Sequence, residues 1–351
     1  MSQAWRRLSQ ALKSRSLYPV VSRRREAYDA RVGICPTSSV EGWFDRVGPF
    51  EKRDLMFNIG TYSLYILAVF ILLAAALASP AVAQVDFSGG WITKTHEDLP
   101  DRGPGPEIAD YAGLPINDAA RVRADAWDAQ ELEVTEHECE PHPADYGPRG
   151  PANMRVWGDM DPLTKGITAW HMELSYMLPN RVIYMDGRPH PSQYAPHTWQ
   201  GFSTGEWEGD LLKVTTTHLK EGWVRRNGLP RSATATLIEY YVRHHDVLTL
   251  VAVVKDPVYL TEPLIRSTSW VYQTGFQLYP NYCVPTIEIP HPKGYVAYHL
   301  PGKNPFLTEF ASRWNIPVEA ARGGAETMYP EYRVKIATMP APPPLPRKKQ
   351  Q

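Results

Sequence analysis

Alternating apolar and polar residues dominate the chain between positions 167 and 273. Within 167–177 every second residue is apolar, and His171 and Glu173 lie between the apolar positions. A period of two predicts an extended strand with one buried face. A chain built mainly from such segments has to fold as a sheet and to cover one face of that sheet.

Eight or nine of these segments follow one another with short turns between them. The predicted strands cover 87–94, 154–157, 167–177, 181–185, 200–208, 211–219, 232–243, 247–255 and 264–273. Gly209-Asp210 joins two of them as a tight hairpin turn. Short turns favour an antiparallel meander, and a long meander closes into a barrel because closure removes its edge strands. The sequence therefore predicts a mainly β protein with small helical and loop additions.

Helices are expected only outside the strand block. The alanine-rich stretch 119–130 predicts one, with Asn117 or Asp118 as its N-cap. Shorter helices are expected near the C-terminus. The tail 339–351 is proline-rich and then basic, which is typical of an extended, disordered segment. The folded β domain with its helical insertions is accordingly expected to cover 84–338.

A long run without charged residues lies ahead of the strand block. Its core, 62–78, is rich in Leu, Ile and Ala, and it ends in Ala-Val-Ala before Gln84. That ending is typical of a signal peptidase site, so 56–83 is predicted to be a signal peptide. If it is not cleaved, the same segment is long enough to anchor the protein in a membrane. The chain from Gln84 onward is then periplasmic or secreted, with membrane association through 56–83 only in the uncleaved form.

The segment before this run is basic. Residues 1–55 contain eleven Lys and Arg against six Asp and Glu. A basic segment belongs on the cytoplasmic side of a membrane insertion. Two interpretations stay open: 1–55 is a cytoplasmic tail, or it is a mis-assigned extension of the gene and Met56 is the true start instead of Met1.

The charge of the exported part narrows the possible partners. From residue 84 onward, 26 Lys and Arg stand against 32 Asp and Glu, a net charge of −6. Nucleic acids and anionic membrane surfaces bind basic faces, so no nucleic-acid partner is expected. The P-loop, G-x-G-x-x-G and H-E-x-x-H motifs are absent, and no cofactor is expected. The letters of a nucleophile elbow occur at 201–205, but a hairpin follows them where that motif requires a helix.

Cys139 and Cys283 are the two cysteines of the exported part. In an oxidising compartment two cysteines usually pair, so we expect a Cys139–Cys283 disulfide. Closing so long a loop stabilises a fold by about 4–5 kcal/mol in the chain-entropy model. The alternative is a metal site, because His137, Cys139 and His142 lie within six residues. Their spacing matches no standard structural zinc site, and no metal is predicted.

Two blocks of sequence carry a resemblance to known proteins. Residues 89–91 (GGW), at the head of the strand block, resemble the G-x-W opening of lipocalins. In that family the Trp closes one end of the barrel and the interior binds apolar small molecules, so the resemblance implies a lipocalin-like barrel. Residues 186–191 (DGRPHP) and 198–210 (TWQGFSTGEWEGD) are similar to a block shared by uncharacterised exported bacterial proteins. This second resemblance covers most of 86–275 and implies compartment and fold, but no activity.

Histidines and aromatic residues of the strand block are the candidate site residues. His171 and Glu173 share one strand face, which permits a His–carboxylate pair for acid–base chemistry. Alternation along its strand predicts that the side chain of His218 points inward, and we take it as a third catalytic candidate. The residues expected near a ligand are Trp199, His171, His218, Arg188 and His197.

Three functions stay open at this stage. The leading hypothesis is an exported lipocalin-like protein that binds an apolar or amphipathic small molecule in an aromatic-lined barrel. The alternative is an enzyme on the same barrel, an isomerase, hydratase or hydrolase that uses His–carboxylate acid–base chemistry. A structural protein of the cell envelope is the third. Barrels host all of these roles, so fold class does not choose among them.

Overall fold

The structure is a computed structural model. It describes residues 65–70, 85–94, 105–133, 137–149, 152–175, 179–279, 283–286 and 290–345. The chain divides into two compact units, Met1–Pro80 and Ala81–Gln351. In the first unit the described residues, 65–70, are helical. None of the described helices is long and apolar enough to cross a bilayer. Most of the predicted leader, all of 1–55 and the end of the proline-rich tail lie outside the described residues.

Most of the regular secondary structure in the described part of the second unit is β-strand. In chain order they are β1 (Gly89–Thr93), β2 (Met154–Met160), β3 (Ile167–Leu174), β4 (Asn180–Tyr184), β5 (Phe202–Glu208), β6 (Leu211–Thr217), β7 (Gly222–Arg225), β8 (Leu229–Arg231), β9 (Thr236–His244), β10 (Val247–Lys255) and β11 (Leu264–Tyr272). Nine of them close into a barrel in the order β1-β11-β10-β9-β6-β5-β4-β3-β2, and β7 and β8 form a separate hairpin. The predicted mainly β fold, a closed lipocalin-like barrel with small additions, is confirmed.

One joint of the barrel departs from a simple meander. Strands β4 and β5 are parallel, with Ile183 beside Ser203, whereas the other neighbouring pairs are antiparallel. A two-residue turn cannot join parallel strands, so the chain has to travel back along the barrel before β5 begins. Residues 185–201 make this crossover. The sequence block 186–191 therefore lies in a long connection against the wall of the barrel.

The described part of the second unit contains four short α-helices: α1 (Asp118–Asp125), α2 (Glu309–Trp314), α3 (Val318–Ala321) and α4 (Tyr332–Ile336). Asn117 caps α1 as predicted, since its side chain accepts a hydrogen bond from the backbone N–H of Ala120 at 3.0 Å. The helix ends earlier than the predicted 119–130. Its C-terminal neighbour Ala126 accepts a hydrogen bond from the backbone of His299 instead, so a contact distant in sequence ends the helix.

Large side chains fill one end of the barrel. Phe87 is fully buried, stacks on Trp207 with 5.6 Å between ring centroids, and meets Trp170 edge-on at 5.7 Å. The indole N–H of Trp91 donates to the backbone oxygen of Phe87 at 2.9 Å. The guanidinium of Arg243 lies 5.1 Å from the centre of the Trp91 ring. The GGW segment thus places a buried tryptophan at this end.

A polar cluster occupies the interior between β4 and β9. Arg181 donates to both carboxylate oxygens of Glu239, one of them at 2.9 Å, and to Ser203 at 3.0 Å. Tyr241 donates to Glu239 at 3.0 Å, and Thr216 accepts from Arg181. Burial by itself lowers the pKa of Arg181, but the attraction of Glu239 and Tyr241 and their hydrogen bonds together raise it. The barrel interior therefore holds a charged, hydrogen-bonded ion pair among apolar side chains.

Candidate functional site

A pocket of about 410 Å³ lies between β1 and the segment that follows β11. Its walls include Gly89, Gly90, Arg155, Tyr272, Phe276 and Leu278. Register explains how these residues meet: Gly90 pairs with Arg155 of β2, and Trp91 pairs with Tyr272 of β11. Barrel closure, which brings β11 beside β1, creates this pocket.

The two glycines of the GGW segment form the floor of the pocket. A Cβ atom at Gly90 would lie 2.3 Å from the Cβ of Phe276, and one at Gly89 would lie 2.4 Å from the ring of Tyr272. Gly89 also has a φ of +128°, which other residues rarely adopt. Both aromatic side chains can approach the backbone of β1 only because these positions lack side chains.

Arg155 supplies the charge of the pocket. Its side chain is exposed, and its guanidinium carbon lies 5.6 Å from the centre of the Trp157 ring. Glu173 is its direct cross-strand neighbour on β3, yet Arg155 forms no ion pair with any residue that the structure describes. Among the described lining residues Arg155 alone carries a charge. The pocket therefore combines aromatic surface with one cation.

His171 continues this outer face of the barrel beyond Trp157. The two rings are stacked, with 5.0 Å between centroids and 3° between planes. His171 Nε2 lies 2.8 Å from a carboxylate oxygen of Asp159. The expected His–carboxylate pair thus exists, but the partner is Asp159 of β2 and not Glu173. Trp157 is the direct cross-strand neighbour of His171, and Asp159 is the next residue on the same face of β2, so strand register places its carboxylate diagonally within reach of the imidazole.

Alternation predicted that His218 points inward on β6, but its side chain does not continue the inward face of that strand. The strand ends at Thr217, and His218 has a left-handed φ of 58°. Its Nε2 donates to the backbone oxygen of Ser192 at 2.8 Å, and its Nδ1 lies 2.8 Å from the hydroxyl of Thr217. The backbone conformation turns the ring toward the crossover 185–201 and away from the interior ion pair.

His190 joins His218 through a shared hydroxyl. With both rings neutral, Thr217 donates to His218 and accepts from Nδ1 of His190 at 2.7 Å. Nε2 of His190 then accepts from the hydroxyl of Thr204 at 2.9 Å. Burial first, and His218 second, lower the pKa of His190. The chain of hydrogen bonds holds the crossover against the outside of β5 and β6.

The remaining predicted ligand residues lie in or beside this crossover. His197 donates from Nδ1 to the backbone oxygen of Leu219 at 2.8 Å, and its ring centre is 5.2 Å from that of His218. Trp199 is half-buried, with the ammonium of Lys220 at 5.0 Å from its ring. The structure therefore brings His197, His218 and Trp199 to one region, two strands away from His171.

Arg188 is engaged locally. Its Nε lies 2.9 Å and 3.0 Å from the two carboxylate oxygens of Asp186, and its guanidinium carbon lies 3.8 Å from the centre of the Tyr184 ring. The hydrogen bonds from Arg188, together with its positive charge, lower the pKa of Asp186. Both charged side chains are exposed at more than a third of their surface. The arrangement is a surface ion pair in which Arg188 is paired locally and not directed toward the pocket beside β1.

Cys139 and Cys283 form the predicted disulfide, 144 residues apart in sequence. Cys139 is therefore not a free thiolate, and the alternative metal site with His137 and His142 loses its sulfur ligand. No group of three metal-ligating side chains occurs among the described residues. Burial, with a smaller contribution from Arg226, lowers the pKa of His142 to about 4.

Sequence reasoning missed Arg155, Asp159 and Phe276. The first two lie on β2, which extends to Met160 where 154–157 was predicted, and their alternation with Trp157 was the available signal. Phe276 follows the last strand in an irregular segment, so no periodicity marks it. Its position depends on the glycine opposite, which only the closed barrel reveals.

Comparison with known proteins does not identify a function for this site. No family model, no curated protein and no solved structure matches this chain. The resemblances to lipocalins and to an exported bacterial family therefore remain predictions, and function has to be argued from the geometry of the site.

Proposed function

We propose that this chain is an exported protein that binds an apolar or amphipathic small molecule in the pocket beside β1. The observation that carries the proposal is the pocket itself, with the rings of Tyr272 and Phe276 against the glycine floor. Its volume of about 410 Å³ lies within the range of about 300–1,000 Å³ typical of small-molecule sites. Aromatic surface of this kind binds apolar molecules by the hydrophobic effect.

The barrel interior is less suited to hold this ligand. Its inward side chains, among them Trp170, Tyr241 and Trp270, are fully buried against one another. The Arg181–Glu239 ion pair lies in the same space. A ligand there would have to displace close-packed side chains or separate buried charges, both of which are costly. We therefore place the ligand outside the barrel wall.

Two features support export. The Cys139–Cys283 disulfide is of the kind that persists in oxidising compartments. The apolar segment 56–83, with its small-residue ending, has the composition of a signal peptide. We propose a periplasmic or secreted location, which export of a tagged full-length chain followed by cell fractionation tests.

Binding is tested with the neutral apolar probe N-phenyl-1-naphthylamine on protein purified from the envelope of its host. We expect its fluorescence to rise on binding, and Phe276→Ala to weaken binding by at least about tenfold because a buried aromatic contact is lost. Tyr279→Ala is the matched control, since Tyr279 is 77% exposed and does not line the pocket. Equal affinity of the wild type and the Phe276→Ala variant would contradict the proposal.

A second candidate function rests on the pair His171–Asp159, 2.8 Å apart and connected to the pocket through Trp157 and Arg155. A histidine held by a carboxylate can act as a general base. Hydrolysis of p-nitrophenyl butyrate tests this: His171→Ala should abolish turnover, while His244→Ala, at an exposed position, should not. Equal rates in the wild type and His171→Ala would exclude this pair as the catalyst.

A further inference from the structure

Arg155 indicates what chemical group the ligand carries. The pocket is bounded by aromatic rings, glycine backbone, a leucine and the amides of Gln273 and Gln277, and no acidic side chain is among its described lining residues. A guanidinium presents several N–H donors and no acceptor, and it matches the planar geometry of a carboxylate. We propose that the ligand is an amphipathic anion whose carboxylate binds Arg155; this inference rests on the proposed function.

The two halves of such a ligand have separate places in the pocket. Gly90 lies between Arg155, its cross-strand partner, and Phe276, which packs on its outer surface. Cross-strand partners are about 4.5–5.5 Å apart, so the cationic and aromatic parts of the pocket are within the length of one small molecule. The carboxylate binds on the β2 side, and the apolar body lies against Phe276 and Tyr272.

Trp157 orients the arginine for this task. The guanidinium lies 5.6 Å from the ring centre, a distance typical of a cation–π contact. Trp157 is itself held by stacking on His171, which the hydrogen bond to Asp159 fixes. Fewer conformations of Arg155 then remain to be lost on binding, which favours affinity. His171 acts here as a positioning residue.

Glu173 places a negative charge beside Arg155, which disfavours a bound anion. It lies directly across from Arg155 on β3 and does not pair with it in the described structure. Because Glu173 is a direct cross-strand neighbour of Arg155, its negative charge lies close enough to repel a carboxylate bound to that arginine. Glu173→Gln should therefore strengthen anion binding by a few-fold, whereas Arg155→Gln should weaken it.

The test compares 4-phenylbutyrate with its neutral amide, 4-phenylbutyramide, by isothermal titration calorimetry. Wild-type protein should bind the carboxylate at least about tenfold more tightly than the amide. Arg155→Gln should make the two affinities equal without changing that for the amide. Arg333→Gln is the matched control, because Arg333 is another exposed arginine and lies on α4; it should leave the preference intact.

The outcomes separate the two proposals. Equal binding of both probes by the wild type, or a preference that survives Arg155→Gln, overturns the anion inference. If the amide still binds and Phe276→Ala abolishes that binding, the proposed function stands without it. If neither probe binds and N-phenyl-1-naphthylamine does not bind either, both proposals fail. Near-ultraviolet circular dichroism of the Arg155→Gln variant confirms that its fold is unchanged.

Discussion

Glu239→Gln should destabilise the barrel more than any change of equal size on its surface. The carboxylate of Glu239 is fully buried and accepts hydrogen bonds from Arg181 and from the hydroxyl of Tyr241. Glutamine has nearly the same shape, but it is neutral, and its NH2 group would face the N–H groups of Arg181. The substitution leaves a buried guanidinium without its counter-charge.

The expected cost follows from that uncompensated charge. Removing one partner of a buried ion pair typically lowers the free energy of unfolding by about 3–5 kcal/mol. Native domains are stable by only about 5–15 kcal/mol, so the loss is a large share of the total. A second substitution, Arg181→Met, removes the stranded charge. Ser203 and Thr216 then still bond to each other at 2.9 Å, and Tyr241 keeps an acceptor at position 239.

The double variant Arg181→Met with Glu239→Gln should therefore be more stable than Glu239→Gln alone, by about 2 kcal/mol or more. Urea unfolding at pH 7, followed by tryptophan fluorescence with the disulfide intact, measures Glu239→Gln, Arg181→Met and the double variant against the wild type. The comparison requires that their m-values agree. The reasoning is refuted if Glu239→Gln costs less than about 1 kcal/mol, or if adding Arg181→Met lowers stability further. Either result would mean that water or a neighbouring group compensates the arginine.

Three further predictions concern the disulfide, pH and backbone geometry. Replacing Cys139 and Cys283 by Ala should lower the free energy of unfolding by about 5 kcal/mol in the chain-entropy model. In unreduced wild-type protein, an alkylating reagent should leave both cysteines unmodified. Mass spectrometry that finds either cysteine alkylated would contradict the disulfide. The lowered pKa of His142, about 4, means that the unfolded chain takes up the proton first. The contribution of His142 to the free energy of unfolding should therefore be fully present above about pH 6.5 and fall by about 3 kcal/mol as the pH drops toward 4. The variant His142→Phe should show a smaller decrease of this free energy with falling pH, measured by urea unfolding. Gly201→Ala should be less stable than Gly187→Ala by about 1–3 kcal/mol. Both glycines have positive φ, 65° and 71°, but a Cβ at Gly201 alone would meet a backbone oxygen at 2.5 Å; equal melting temperatures would show that this contact relaxes.

Strand positions were well predictable, because each depends on a local period. The predicted 247–255 coincides with β10, and 264–273 differs from β11 by one residue. The hairpin of β7 and β8 was not predicted, since its three- and four-residue strands are too short to show alternation. Asn117 was identified as a cap because capping is equally local.

The candidate site was less predictable. His171 lies beside a carboxylate, but it is that of Asp159 and not of Glu173, because strand register decides the partner and register is not local. Arg155 and Phe276 line one pocket only because barrel closure places β2 and β11 on either side of β1. Arg181 and Glu239 are 58 residues apart, and nothing in either local segment marks them as partners.

The sequence by itself determined the mainly β architecture, the disulfide partners and the charge of the part that follows the apolar run, since alternation, cysteine number and composition can be read along the chain. The tertiary structure alone decided which side chains meet. It made β4 and β5 parallel, turned His218 toward the crossover 185–201, and built the pocket from Gly90 and Arg155 with Phe276. The physical reason is that barrel closure and register bring together residues far apart in sequence, and a local pattern carries no information about distant neighbours.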